Sequence, residues 1–237
     1  PGVNLKHPAR GELTLQDIFT YPDLREVSQA SKNSASATRG EDFLGLCIER
    51  ARVLVTGVDR SGKTCLAKKL FRELQSAGLV PVWLDGHKIR SATPEAVHRL
   101  IREEFTRQYI NADFDKLKQS ETQRRALIVD NYHTAGIRRS EQIRLVEELS
   151  RFAGLVMLFS SDATQHVLDI VSGVSLTTGD NSFAHFRILP YGHVRRNEMV
   201  ERWFAMDEDL ALDPSAYSRE VVAVKQMADT AIGANFL

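Results

Sequence analysis

Val53-Leu-Val-Thr-Gly57-Val-Asp-Arg-Ser-Gly62-Lys-Thr64 is the stretch from which the rest of this chain can be read. Its second part fits the pattern G-x-x-x-x-G-K-[ST], and its first part is the apolar run of a buried strand. The order carries the meaning. Such a loop works only where a strand ends and a helix begins, because backbone N–H groups must converge on phosphate oxygens there. Gly57 and Gly62 lack the Cβ atoms that would obstruct the turn or the approach of a ligand. Lys63 has the reach to meet β- and γ-phosphates, and the Thr64 hydroxyl suits Mg²⁺. Behind the loop, Leu66, Leu70, Phe71 and Leu74 fall near helical spacing. The expectation is therefore a nucleotide phosphate site formed by Gly57, Asp59, Arg60, Ser61, Gly62, Lys63, Thr64 and Cys65. Asp59 should point away from the phosphates, since a carboxylate is unfavourable inside an anion cradle. Arg60 is left facing solvent, a partner subunit or the nucleotide.

Outward from the loop the pattern alternates. Strands are expected over 52–56, 79–84, 126–130, 155–160 and 185–189, with helices over 63–77, 93–109, 140–152 and 164–171 between them. Leu127-Ile-Val129 and Leu155-Val-Met-Leu-Phe159 are continuously apolar, as strands are when helices cover both sheet faces. Thr93-Pro94 is a good helix start, because proline tolerates the first turn. This rhythm predicts an α/β, doubly wound, mainly parallel sheet. After Pro190 it stops, and 197–204 and 216–231 read as helices of a small C-terminal lid. Residues 1–40 read as an N-terminal linker or extension with a Ser/Ala/Asn-rich connector over 28–38. The core is then 41–190 and the lid 191–237.

A phosphate loop predicts binding; hydrolysis needs a metal-orienting acid and a group that handles water. Leu127-Ile-Val-Asp130 has the shape of a Walker B strand, whose terminal acid faces the ligand crevice of a parallel sheet. Asp130 and Thr64 are thus the expected metal ligands, with a helix cap or turn as the other reading of Asp130. Lys63, Asp130, Asn131 and His133 are the catalytic candidates. Asn131 stands where many ATPases of this layout carry glutamate. It can orient a water but cannot take a proton at neutral pH. His133 is the nearest residue with a useful pKa, though a histidine after a strand also serves as a plain surface residue. Ser160 ends the next apolar strand and is open to two readings, a γ-phosphate contact or part of a helix start at Asp162. Arg195 and Arg196 open the lid; one of them, with Arg196 the candidate, reaches the phosphates or pairs with Glu198 or Glu201.

The whole-chain charge is balanced, with 31 basic and 31 acidic residues among 237, so nothing in composition points to nucleic acid. Cys47 and Cys65 form neither a metal motif nor a disulfide framework, and a reducing cytoplasmic setting is the simplest reading. No apolar run is long enough to span a membrane. Pro1 at the start reads as a piece of a longer protein.

As an ordered set, Leu15-Gln-Asp-Ile-Phe-Thr-Tyr-Pro-Asp-Leu24, Gly57–Thr64, Leu79-Val-Pro-Val-Trp-Leu-Asp-Gly86, Ala126–Asp130, Arg187-Ile-Leu-Pro-Tyr-Gly192 and Arg196-Asn-Glu198 resemble a STAND-type NTPase, a branch related to AAA-plus ATPases. The resemblance is closest to bacterial versions used in antiviral defence. It implies an adenine-nucleotide switch between ATP and ADP with slow turnover, effector and sensor domains outside this segment, and a homo-oligomer on activation. The chain departs from the pattern at Asn131 and in having no Arg after Ser160-Ser161. Leu84-Asp-Gly-His-Lys-Ile-Arg90 resembles instead the substrate strand of adenylylsulfate kinases, which gives Asp85 a catalytic or metal-associated role. Small-molecule phosphoryl transfer is therefore the competing expectation.

Overall fold

The computed structural model describes residues 6–27, 37–161, 183–207, 210 and 212–233. The expected helix over 164–171, and Asp162 with it, lie outside the described residues. Two compact units are present: one combines Pro1–Pro22 with Pro190–Leu237, the other is Asp23–Leu189. The first contains strands β1 (Lys6–His7) and β2 (Gly11–Glu12), helix α1 (Leu15–Ile18), and the helices His193–Phe204 and Pro214–Gly233. His7 packs edge-on against Trp203, and the Tyr191 hydroxyl donates to the Thr20 carbonyl. Chain ends far apart in sequence thus build one unit.

The second unit is a seven-stranded sheet in the order β4-β3-β9-β5-β8-β7-β6. Its strands are β3 (Leu24–Glu26), β4 (Ala37–Thr38), β5 (Arg52–Gly57), β6 (Val80–Asp85), β7 (Arg125–Asp130), β8 (Leu155–Ser161) and β9 (Ala184–Ile188). From β9 through β6 every neighbour is parallel. Only β3 and β4, at one edge, run antiparallel to their neighbours. These two come from the stretch expected to be a linker; as strands of three and two residues they leave no period to read.

Helices α2 (Phe43–Arg50), α3 (Lys63–Ser76), α4 (Pro94–Gln108), α5 (Phe114–Gln119) and α6 (Arg139–Phe152) surround the sheet. Alternation along the strands divides the core. Leu54, Val82, Leu84, Leu127, Val129, Val156 and Leu158 form one buried cluster with Val97, Ile101 and Phe105 of α4 and Leu145, Val146 and Leu149 of α6. The intervening residues Val53, Val55, Ala126, Ile128, Met157 and Phe159 are buried too, as are Leu66, Leu70 and Leu74 of α3. A sheet apolar on both faces is covered on both faces, which explains the unbroken hydrophobic runs. Thr93 caps α4 by accepting the Ala96 N–H, with Pro94 in its first turn.

Parallel strands deliver their C-terminal ends to the same edge, so Gly57, Asp85, Asp130 and Ser161 end together. Asp85 lies opposite Asp130, and Gly57 opposite Ser161. Gly86 then passes against the turn after β7, where an added Cβ would sit 2.1 Å from the Asn131 carbonyl oxygen. Gly86→Ala is expected to lower stability by about 1–3 kcal/mol, the usual range for overpacking against atoms that cannot yield. Urea unfolding of the variant checks this, and an unchanged midpoint would refute the close approach.

Candidate functional site

Gly57–Thr64 lies where β5 ends and α3 begins, as the motif requires. The loop is tight: a Cβ on Gly57 would meet the Ser61 Oγ at 2.5 Å. Arg60 and Gly62 have φ of 61° and 89°, so two loop residues are left-handed. Such alternation turns successive N–H groups toward one concavity. The Asp59 carboxylate accepts the Arg60 N–H at 3.0 Å, and so is held by its own loop. Lys63 Nζ donates to the Gly57 and Val58 carbonyls at 2.8 and 2.7 Å, which holds the ammonium across the loop mouth. Cys65, which follows Thr64, is exposed.

Asp130 comes to this loop from β7, although β8 separates β5 from β7. The Thr64 hydroxyl donates to Asp130 Oδ2 at 2.8 Å. Two hard oxygen donors thus stand side by side at the phosphate-loop end of the sheet, a donor set that fits Mg²⁺. Burial raises the Asp130 carboxyl above its ordinary value, and the facing Asp85 adds to the rise. Hydrogen bonds from Thr64 and the Asn131 backbone, with the Lys68 charge, act in the other direction. Asp85 differs from its neighbour. Burial pushes it up, but hydrogen bonds from the His87 backbone and ring outweigh that, leaving it lowered.

Asn131 has φ 54° and ψ 38°, a left-handed conformation that asparagine tolerates better than most side chains. Its carbonyl accepts both the Thr134 N–H and the Thr134 hydroxyl, closing the turn Tyr132–Thr134. Tyr132 is buried and His133 is exposed within that turn. The His133 Nδ1 accepts the Ser161 N–H at 3.2 Å. Sequence reading named His133 but missed this contact, because nothing local links residues 28 positions apart. Ser160 is fully buried with its Oγ unpartnered, and Ser161 is the strand-end residue in register with Gly57. Arg195 and Arg196 belong to the other unit. There Arg195 pairs with Glu198 at 3.1 Å, and Arg196 donates to the Tyr191 carbonyl at 3.2 Å.

The larger unit has the mainly parallel α/β sheet, the strand–loop–helix turn and the Thr64–Asp130 pair of a P-loop fold. No family model matches the chain, and no curated protein does either. Solved structures are similar in part. The Aeropyrum pernix ORC2 protein in ADPNP–ADP complexes is 15% identical, with a TM-score of 0.46, over 81% of this chain and 62% of that one. The ORC1 protein of the same organism, in complex with DNA, is 12% identical, with a TM-score of 0.42, over 69% and 48%. Domain III of the Thermotoga maritima replication initiation protein DnaA is 11% identical, with a TM-score of 0.41, over 82% and 74%. The chain spans about half to three-fifths of the two Aeropyrum proteins. Likenesses this distant carry no argument about residues. They do correct one expectation, that nothing points to nucleic acid, because the ORC1 neighbour and a Drosophila ORC neighbour are complexes with DNA. Net charge is a sum over the whole chain and never spoke to a local surface. Among the described residues no helix is long and apolar enough to cross a membrane.

Since burial raises Asp130, its charged form is disfavoured in the folded chain relative to the unfolded one. The folded protein then holds the proton longer, and stability falls as pH rises from the unfolded carboxylate value through the folded one. Asp130→Asn removes that penalty. In metal-free buffer the variant should melt a few degrees above wild type at pH 7, and the gap should close as pH falls below about 4. Melting curves across pH test the sign; a variant less stable at pH 7 would contradict it.

Proposed function

We propose that the larger unit binds ATP and ADP, hydrolyses ATP slowly with Mg²⁺, and works as a nucleotide-dependent switch. The observation that carries this reading is the Thr64–Asp130 pair beside Lys63, followed by Asn131 where a fast hydrolase needs a proton acceptor. The loop N–H groups bind phosphate oxygens, and the Lys63 ammonium neutralises charge between the β- and γ-positions. Thr64 and Asp130 would hold Mg²⁺, which when bound spreads the charge that develops on the transferred phosphoryl group. Asn131 orients water without removing its proton, so chemistry proceeds on charge stabilisation alone.

The finer reading is that nucleotide state controls oligomerisation and effector activation in bacterial defence signalling. Its support is the ordered motif set that resembles STAND proteins. The kinase reading loses its main motif as a separate signal. Gly86 is accounted for by its approach to Asn131, and Asp85 by accepting the His87 N–H.

Multiple-turnover assays with ATP and Mg²⁺ should give a rate constant below about 10 s⁻¹, the ordinary enzyme median. Lys63→Ala should weaken ATP binding at least about tenfold, as expected on losing charge-assisted contacts. Calorimetry showing unchanged ATP affinity in this variant would discard the site. ADP release that depends on an added small hydroxyl acceptor would instead establish phosphoryl transfer.

A further inference from the structure

The turn after β7 is built to hold one ring. Tyr132 is buried below it, Asn131 supplies the left-handed corner, and the Thr134 hydroxyl and N–H close it on the Asn131 carbonyl. Between them His133 is exposed, and its ring crosses to β8, where the Ser161 N–H donates to Nδ1. Ser161 faces Gly57 in the strand register, so the ring spans from the Asp130 strand toward the first residue of the phosphate loop. Lys63, Asp59, Asp130 and His87 all act on it electrostatically.

An N–H donates only to a nitrogen with a free lone pair. Nδ1 is therefore unprotonated, and in the neutral ring the proton sits on Nε2. Burial, with Lys63 and His87 outweighing Asp130 and Asp59, holds the ring's pKa below its ordinary value, so this neutral form prevails at pH 7. Among the described residues nothing is hydrogen-bonded to Nε2. A ring fixed this way has one lone pair in use and one N–H to give. It cannot accept a proton from water at Nε2.

We infer that His133 is a γ-phosphate-reading donor: Nε2–H donates to a terminal phosphoryl oxygen of a bound nucleoside triphosphate, while Nδ1 fastens the ring to the end of β8. This rests on the reading of Gly57–Thr64 with Asp130 as a nucleotide site. A diphosphate offers no such oxygen. The contact from Nε2–H therefore separates the two nucleotide states, because it forms only when the third phosphate is present. His133 is thereby assigned to recognition rather than to general base catalysis.

Two measurements on the full chain test this. Long-range ¹H–¹⁵N spectra of histidine-labelled protein without nucleotide should show His133 protonated on Nε2; protonation on Nδ1 overturns the proposal. Calorimetry with ATP and with ADP, each with Mg²⁺, should show His133→Ala weakening ATP about tenfold, the size of one hydrogen bond to a charged oxygen, with ADP affinity unchanged. His133→Gln, which restores an N–H donor, should recover most of the loss. Equal weakening of both nucleotides, or of neither, overturns the proposal and leaves the nucleotide site standing. Failure of the wild-type chain to bind ATP overturns both. His133 is exposed, so neither variant removes a core contact.

Discussion

The hydrogen bond from the Thr64 hydroxyl to Asp130 joins two elements that the sheet keeps apart. β5, which leads into the loop, and β7, which ends at Asp130, have β8 between them. The bond forms only if α3 starts directly above these strand ends and the three strands run parallel to the same edge of the sheet. Parallel pairing in register meets the second condition. The buried leucines of α3 against the sheet meet the first. The packing of α3 on these strands therefore fixes one contact between a hydroxyl and a carboxylate. The contact only partly relieves the burial of the carboxylate, whose pKa remains raised. A divalent cation bound there would complete what the hydroxyl begins.

Parts of this arrangement were legible because their physics is local. A phosphate loop needs particular glycines and a lysine within eight consecutive residues, and the chain displays them from Gly57 to Thr64. Strands buried on both faces show as unbroken apolar runs, which placed β7 and β8 and put Asp130 at a strand end. The antiparallel edge was not legible, because β3 and β4 are too short for alternation to appear. Helix α5 was hidden in a polar stretch, where Phe114 and Leu117 are its only buried residues. The grouping of Pro1–Pro22 with the C-terminal helices depends on tertiary contacts such as His7 with Trp203, which no window of sequence contains.

Within the site the same division holds. Residue types gave Lys63, Thr64 and Asp130 their expected roles, and the geometry brings those three together. Residue types could not show that Asp59 would accept the Arg60 N–H beside the left-handed backbone of Arg60. Nor could they fix the tautomer of His133, which is set by an N–H on another strand. Charge and side-chain chemistry are written in the sequence. Which lone pair is already taken is written in the backbone.

Asn131 shows how backbone and chemistry constrain one position together. Its left-handed φ makes the sharp turn that stacks Tyr132–Thr134 over the strand ends, and its carbonyl is the atom against which Gly86 packs. A glutamate there would have to adopt a conformation that longer side chains resist. The absence of an acidic base after Asp130 and the Asp85-Gly86 sequence at the end of β6 are thus two sides of one close crossing. β6 and β7 are paired neighbours whose terminal carboxylates, Asp85 and Asp130, lie opposite each other in the register. The turn Tyr132–Thr134 follows directly, with Tyr132 buried and His133 exposed, so the residues after Asp130 are held by backbone rather than left as a free loop.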